Sequence, residues 1–287
     1  MSALSAHLAP NSPPAMAAHR FVLAWGLARL ASRAEPRVQA LRRALAAAAV
    51  GRLTAAERDA LARVEVRRAE IPFEVVDAGL ELGIVPGDVS EAAEAGAASA
   101  DESTAYAARL AQTWEICRWT SISPVWGRFL ALLVRTLEPR SALELGTGLG
   151  LSGAYQASAL KLNGAGKLVT LDVHEASRVA ERGFAELGLS DWIELRFGLI
   201  DETLPDLLAA VGPVDFAFLD AEHSLSATVR HFDLLLPHLA DGAVVVLDDI
   251  TQTREMRLAW AVVSSRPRVV FSLPLRRVGV VVCGAPG

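Results

Sequence analysis

Three aspartates stand at the ends of two apolar segments that predict β-strands. Asp220 ends the segment 214–220, and Asp248 and Asp249 follow each other at the end of 243–248. If the two strands are neighbours in a sheet, the three carboxylates lie at one edge, where each raises the pKa of the others. A divalent cation would relieve this repulsion, and carboxylate oxygens that leave room for water and substrate suit Mg²⁺. In the simpler alternative, Asp248 and Asp249 only begin a loop and cap the next helix.

Two candidate bases follow Asp220 on the same predicted loop. His223 has a side chain whose ordinary pKa near 6.5 lets it accept a proton, and Glu222 is its rival. In the simpler alternative, His223 is an ordinary residue in the first turn of the next helix. The other histidines have no ligand spacing and are interpreted as structural or solvated: His7, His19, His174, His231 and His238.

Glycines at positions 146, 148 and 150 follow the predicted strand 141–145 and precede a predicted helix. Glycine lets the backbone turn tightly and approach a ligand, and open α/β sheets bind small molecules at this edge. A dinucleotide-binding fingerprint would require a further glycine at 151, where the chain has Leu151. The alternative interpretation is a turn that serves only packing.

The next two predicted strands end in residues that could bind other parts of the same ligand. Asp172 ends the strand 167–172, where an acidic side chain can accept both hydroxyl groups of a ribose, or can cap a helix. The strand 192–197 leads into Gly198, Leu199 and Ile200, where an adenine ring could lie between apolar side chains.

The composition of the 287-residue chain is that of a globular protein with a mild negative charge. It has 28 Lys and Arg against 33 Asp and Glu, a formal net charge of −5, and 52% hydrophobic residues. No basic run could follow a phosphate backbone, and no apolar run approaches the about 20 residues of a membrane span, so neither nucleic acid nor a membrane is an expected partner. The two cysteines, Cys117 and Cys283, have no disulfide or zinc spacing. We therefore expect a soluble cytoplasmic protein.

The chain divides by pattern into three regions. Residues 1–19, rich in Pro, Ala and Ser, predict a disordered tail, and residues 20–102 predict a helical region that ends in a linker over 84–102. From 103 onward we expect one larger domain, which begins with helical segments, one of them over 123–137.

After residue 141, short β-branched runs alternate with helical segments, which is typical of βα units on a parallel sheet. The last two strands are separated only by 272–276, too few residues for a crossover helix, so we expect them to pair antiparallel. The pattern predicts strands at 141–145, 167–172, 192–197, 214–220, 243–248, 268–272 and 277–283, and helices near 152–162, 175–187, 203–210, 224–239 and 254–264.

The glycine loop from Glu144 to Gly150, Asp172 after the second strand, and the three aspartates together resemble the class I S-adenosylmethionine-dependent methyltransferases. Within that class the chain is most similar to the metal-dependent O-methyltransferases of the catechol and caffeoyl-CoA type. The resemblance covers 141–283 and implies a doubly wound α/β sheet of seven strands in the order 3-2-1-4-5-7-6, with the last strand antiparallel. It also implies S-adenosylmethionine and Mg²⁺ as cofactors, and a small-molecule acceptor with adjacent oxygens, such as a catechol, another phenol or a sugar hydroxyl.

The resemblance implies a role for each matching residue. Glu144, Gly146 and Ser152 would meet the methionine part of the cofactor, Asp172 the ribose, and Leu199 and Ile200 the adenine, while Asp220, Asp248 and Asp249 would hold the metal. The full set of implied cofactor-binding residues is Glu144, Gly146, Thr147, Gly148, Gly150, Ser152, Asp172, Val173, Gly198, Leu199, Ile200 and Asp220.

Two positions depart from the catechol type. His223 stands where that type commonly has a lysine, which leaves the base open between His223 and Glu222. Asp249 stands where catechol enzymes have an asparagine, which makes the expected metal site more anionic.

Other interpretations remain open. A nicotinamide-dependent oxidoreductase would share the sheet and Asp172 but would need a glycine at 151. A non-catalytic protein that binds the cofactor would keep only the glycine loop. The N-terminal helices could roof the substrate pocket or form a homodimer interface. Trp114, Trp119 and Trp126 are candidates to stack on an aromatic acceptor or to belong to the core.

Overall fold

A computed structural model describes residues 13–30, 35–80, 82, 102–174 and 177–285 of the chain. Within these ranges seven strands form one sheet in the order β3-β2-β1-β4-β5-β7-β6, which confirms the predicted fold class. The strands are β1 Ser141–Leu145, β2 Lys167–Asp172, β3 Ile193–Phe197, β4 Val214–Leu219, β5 Leu239–Leu247, β6 Val269–Leu275 and β7 Val278–Cys283.

The first five strands pair in parallel, and β7 runs antiparallel to both of its neighbours, β5 and β6. The expected C-terminal hairpin is therefore confirmed. Strand β5 begins at Leu239, four residues before the predicted 243, and includes Asp241 and Gly242. Gly242 has a φ of +74°, which glycine adopts without steric cost.

Helices cover both faces of the sheet. In the described residues they are α1 Pro13–Arg29, α2 Pro36–Val50, α3 Ala55–Asp77, α4 Glu102–Thr120, α5 Pro124–Leu137, α6 Leu151–Asn163, α7 Ser177–Glu186, α8 Ile200–Val211, α9 Leu225–Leu235 and α10 Arg254–Ser264, with a 3₁₀ turn over Leu236–His238. Helix α3 begins as the sequence predicts, because Thr54 and Glu57 form a reciprocal capping box.

The N-terminal helices share one apolar core with the sheet. Leu23 of α1 and Leu41 of α2 belong to the same buried cluster as Phe129 of α5 and Val280 of β7. A second buried cluster, on the opposite face, packs β4 and β5 against α8, α9 and α10. The N-terminal region therefore takes part in the packing that fixes the sheet.

Residues 13–19, which the sequence places in the predicted tail, form the first part of α1. Prolines at 13 and 14 are compatible with a helix start, because the first helical N–H groups have no partner within the helix. Residues 1–12 and most of the predicted linker over 84–102 lie outside the described residues. Within the part of the chain that is described, no helix combines the length and the apolar character needed to cross a bilayer.

Replacing Gly127 of α5 by alanine tests the packing of α5 on α6. A Cβ atom there would lie 2.2 Å from the Tyr155 ring, which is buried and whose hydroxyl donates to Glu65. We expect Gly127→Ala to lower the free energy of unfolding by about 1–3 kcal/mol, as overpacking does, in urea denaturation. In a Tyr155→Leu background the clashing ring atoms are absent, so Gly127→Ala should lower the free energy of unfolding by less. An equal loss in both backgrounds would contradict this packing.

Candidate active site

The ends of four strands lie side by side at the edge where the sequence predicts a ligand site. Backbone hydrogen bonds continue past the strand ends: Gly146 N donates to Leu171 O at 2.9 Å, Asp220 N to Leu145 O at 2.9 Å, and Asp248 N to Leu219 O at 3.0 Å. Across the sheet, the strand numbers fall from β3 to β1 and then rise from β4 to β5, so the strand order reverses between β1 and β4. This is the topological switch point at which open α/β sheets form a ligand crevice.

Gly146 lies against the backbone of the neighbouring strand end. Its φ is +94°, and a Cβ atom at this position would be 2.2 Å from the carbonyl oxygen of Asp220. Only glycine fits this close approach, so the glycine loop and the loop that carries Asp220 are held together.

The rest of the glycine loop is tied to the end of β2. Gly148 N donates to Asp172 Oδ2 at 2.7 Å, and His174 N donates to Asp172 Oδ1 at 2.9 Å. Gly150 has a φ of +81° and a Cβ there would lie 2.5 Å from Ala180 Cβ, so it lets α6 start close to α7. The structure thus brings together the glycines and the aspartate that the sequence singled out.

Glu144 lies beneath the loop and is completely buried. It pairs in register with Thr170, whose hydroxyl donates to Glu144 Oε2 at 2.7 Å, and Gln156 Nε2 donates to Glu144 Oε1 at 2.8 Å. Burial raises the pKa of Glu144 to about 8, although these hydrogen bonds favour the charged form. Thr147 and Ser152, two further predicted contacts, are also almost fully buried.

Apolar side chains are exposed beside Asp172, at the predicted adenine side. Val173 and Leu199 are 48% and 52% exposed, and Phe197 is 46% exposed. Gly198 N donates to the Asp172 carbonyl at 3.0 Å, which holds this strand end beside β2. Ile200, also predicted to lie near the adenine, is instead buried at the start of α8.

The three aspartates converge around His223. Its Nε2 lies 3.2 Å from Asp220 Oδ1 and 3.5 Å from Asp249 Oδ2. Asp248 is 1% exposed, and Asp249 has a φ of +52°, a left-handed conformation that few non-glycine residues adopt. Glu222, the other candidate base, is exposed on the same loop and also has a positive φ.

Arg277, which the sequence analysis missed, lies between two of the aspartates. Its Nε and Nη2 donate to the two oxygens of Asp248 at 2.9 and 2.8 Å, and its Nε is 2.9 Å from Asp249 Oδ1. The predicted metal site is not confirmed, because within the described ranges no three Asp, Glu, His or Cys side chains are arranged to hold one metal ion. The predicted hairpin was the signal in the sequence that could have located Arg277. Antiparallel pairing brings the start of β7 to the carboxyl end of β5.

The charged side chains of this site change one another's pKa values. Burial alone would lower the pKa of His223, but its hydrogen bond to Asp220 and the charges of the three carboxylates raise it to about 9. Burial, followed by the charge of Asp248, raises the pKa of both Asp220 and Asp249.

His19 also lies near this site, although the sequence analysis interpreted it as structural or solvated. Its Nδ1 is 3.1 Å from Ser123 Oγ, and its ring centroid is 5.7 Å from that of Trp126. Burial and the charge of Arg277 lower the pKa of His19 to about 4, so it is neutral at pH 7. Its place on α1 is set by tertiary packing, and no spacing in the sequence indicates it.

The three tryptophans have different surroundings. Trp126 is 1% exposed and belongs to the core, so it does not present a face to an acceptor. Trp119 is 37% exposed, and Trp114 lines a cavity of about 220 Å³ together with Arg68 and Leu151. Trp114 and Trp119 thus remain the candidates for stacking.

Two alanine substitutions in the glycine loop separate close approach from backbone strain. Gly146→Ala should lower the melting temperature by more than backbone strain alone would, because the new methyl group would displace the Asp220 backbone. Gly148→Ala is the control: its φ is +50° but no atom lies within 4 Å of the place that its Cβ would take, so only about 1–2 kcal/mol of strain is expected. Equal losses in both variants, measured by calorimetry, would show that close approach is unimportant.

A pH series of unfolding tests the charge state of His223. A histidine whose pKa is raised in the folded state stabilises it fully below its unfolded pKa of about 6.5 and loses this effect as the pH rises through the folded value. We expect wild type to be more stable than His223→Gln at pH 6, with the difference disappearing above pH about 9. The measurement is urea denaturation of both proteins from pH 6 to 10, and a difference that grows with pH would contradict it.

Comparison with known proteins agrees with the class inferred from the sequence. Residues 143–250 match a family described as a methyltransferase domain. A catechol O-methyltransferase from Niastella koreensis is 33% identical over 132 residues, which are 45% of this chain and 58% of that protein. One from Mycobacterium tuberculosis is 31% identical over 131 residues, 45% of this chain and 57% of that protein. The chain therefore spans less than two thirds of the length of these relatives.

A solved structure shares the fold. The O-methyltransferase TomG from Streptomyces achromogenes, in complex with S-adenosylmethionine, superposes with a TM-score of 0.52 at 24% identity, over 69% of this chain and 96% of that one. This likeness is one of fold, and residues 143–250 are in addition similar to a methyltransferase domain.

Proposed function

We propose that this protein transfers the methyl group of S-adenosylmethionine to a hydroxyl oxygen of a small molecule. The observation that carries the proposal is the sheet edge at the switch point, where the glycine loop, the Asp172 carboxylate and the exposed Val173 and Leu199 follow neighbouring strand ends. An acidic group for a ribose beside apolar side chains for a base suits a nucleoside-containing cofactor. The relatives named as O-methyltransferases support oxygen as the acceptor atom.

The rival interpretations fit this site less well. A nicotinamide-dependent enzyme would use a glycine at 151, where Leu151 is buried under the loop. A non-catalytic protein would not need three carboxylates, an arginine and a histidine together at this edge.

Mg²⁺, the second cofactor implied by the resemblance, is not part of this proposal. Three carboxylates are suitable donors for a hard cation. In the described arrangement, however, both oxygens of Asp248 accept hydrogen bonds from Arg277, and one oxygen of Asp249 lies 2.9 Å from its Nε, so these residues do not fit a metal ion without moving the guanidinium. No step of the reaction is assigned to a metal.

Methyl transfer is an in-line displacement. The acceptor oxygen, the methyl carbon and the sulfur must be collinear, so positioning contributes a large share of catalysis, up to about 7–11 kcal/mol. The C–O bond forms as the C–S bond breaks, and its electron pair stays on sulfur, which leaves S-adenosylhomocysteine. The hydroxyl proton goes to one of the two candidate bases on the loop after Asp220, His223 or Glu222.

The acceptor and the assembly are also proposals. A catechol, another phenol or a sugar hydroxyl would satisfy the same requirement for an oriented oxygen, and Trp114 or Trp119 could stack on an aromatic example. We further propose a cytoplasmic homodimer; Cys117 and Cys283 are buried free thiols, which suits a reducing compartment. Light scattering of the purified chain tests the dimer.

Thermal shift assays test the proposed cofactor. S-adenosylhomocysteine at 100 times its Kd should stabilise the protein by about 2.7 kcal/mol, whereas NAD should leave the melting temperature unchanged. Asp172→Asn should weaken the shift, and Asp191→Asn, a change at an exposed aspartate away from the crevice, should not. A shift with NAD and none with S-adenosylhomocysteine would contradict the proposed function.

A further inference from the structure

The sheet edge that carries Asp220, Asp248 and Asp249 holds its own positive charges. Arg277 forms a two-point ion pair with Asp248 and also contacts Asp249, while His223 lies between Asp220 and Asp249. Arg277 is therefore a fixed positive charge among the three carboxylates. Its contacts with Asp248 and Asp249 offset part of the repulsion for which a divalent ion would be needed.

The fold fixes Arg277 in this position. The residue precedes β7, and β7 pairs antiparallel with β5, with Leu247 opposite Gly279. Ile250 N donates to the Arg277 carbonyl oxygen at 2.8 Å, which ties the hairpin to the loop after Asp249. The guanidinium is held both through its backbone and through two carboxylates, so it is positioned before any ligand binds.

Arg277 also retains the capacity to bind a ligand. A guanidinium has five N–H donors in a planar fork, and in the described residues Arg277 uses Nε and Nη2 for the aspartates, whereas Nη1 makes no hydrogen bond there. Its side chain is 19% exposed, in contrast to the buried Asp248. An oxygen of a substrate can therefore approach the part of the fork that the carboxylates leave open.

We propose that Arg277 serves as the resident cation of this site, binding the acceptor oxygen and stabilising its negative charge during methyl transfer, so that no divalent metal ion is required. This inference rests on the proposed function. The guanidinium takes no part in the covalent change: the acceptor R–OH gives up its proton to His223 or Glu222, the oxygen lone pair forms the C–O bond, and the C–S electron pair remains on the sulfur of S-adenosylhomocysteine.

A metal-binding measurement tests the inference without an acceptor. Chelator-treated wild type should show no Mn²⁺ binding by calorimetry and no change in melting temperature with Mn²⁺. Arg277→Met removes the guanidinium and leaves three carboxylates, so Mn²⁺ should raise the melting temperature of this variant. Arg266→Met is the matched control, since it removes another arginine that pairs with one aspartate, Asp233, on different elements, and it should not respond to Mn²⁺.

An activity measurement tests the same point on the reaction. With 3,4-dihydroxybenzoate as the probe acceptor, formation of S-adenosylhomocysteine by wild type should be unchanged by chelator, whereas Arg277→Met should lose about 10²-fold, as expected for the loss of a group that stabilises a developing charge. Arg277→Lys keeps the charge but not the planar fork, so its activity should lie between those of wild type and Arg277→Met. The lysine variant also allows the activity to be compared if the methionine variant fails to fold.

The outcomes separate this inference from the proposed function. Stoichiometric Mn²⁺ binding by wild type, loss of activity with chelator, or full activity of Arg277→Met would overturn the role of Arg277 while leaving the methyltransferase assignment intact. Failure of wild type to bind S-adenosylhomocysteine would instead overturn the proposed function, and the role of Arg277 with it.

Discussion

Three carboxylates share one largely buried edge of the sheet, and ionised carboxylates are stable there only beside positive charge. Removing a charge from water costs several kcal/mol, which a close and well-oriented partner must offset. Arg277 meets that condition for Asp248 with two hydrogen bonds below 3 Å, and His223 does so for Asp220 and Asp249 at longer distances. The charge state of the whole edge, including the raised pKa of His223, follows from this pairing.

The same edge is also where the glycine loop meets its neighbours. Gly146 lies so close to the carbonyl of Asp220 that the loop for the cofactor and the loop with the carboxylates cannot move independently. Below the loop, Glu144 is held by Thr170 and Gln156 in the interior. The proximity of the glycine loop and the charged cluster is thus a consequence of backbone packing.

The N-terminal helices matter to the site because they are part of its packing. Helix α1 shares the core with the sheet and carries His19 to Ser123, close enough to the cluster for the charge of Arg277 to lower the pKa of His19. The residues that precede the matched methyltransferase segment therefore influence the electrostatics of the edge, and they distinguish this chain from a minimal sheet with its helices.

The sequence by itself determined the sheet and the position of its functional edge. Alternating β-branched and helical runs define parallel βα units, a connection too short for a crossover requires an antiparallel hairpin, and residues at strand ends must gather at one edge. That reasoning located the glycines, Asp172 and the three aspartates, because each follows the end of a strand.

Only the tertiary structure decided which side chains lie against these residues. Arg277 reaches Asp248 across 29 positions of the chain, and His19 reaches Ser123 across 104. Such contacts depend on how separate elements pack, which local spacing does not encode, and for that reason the sequence predicted a metal ion where the structure places a guanidinium.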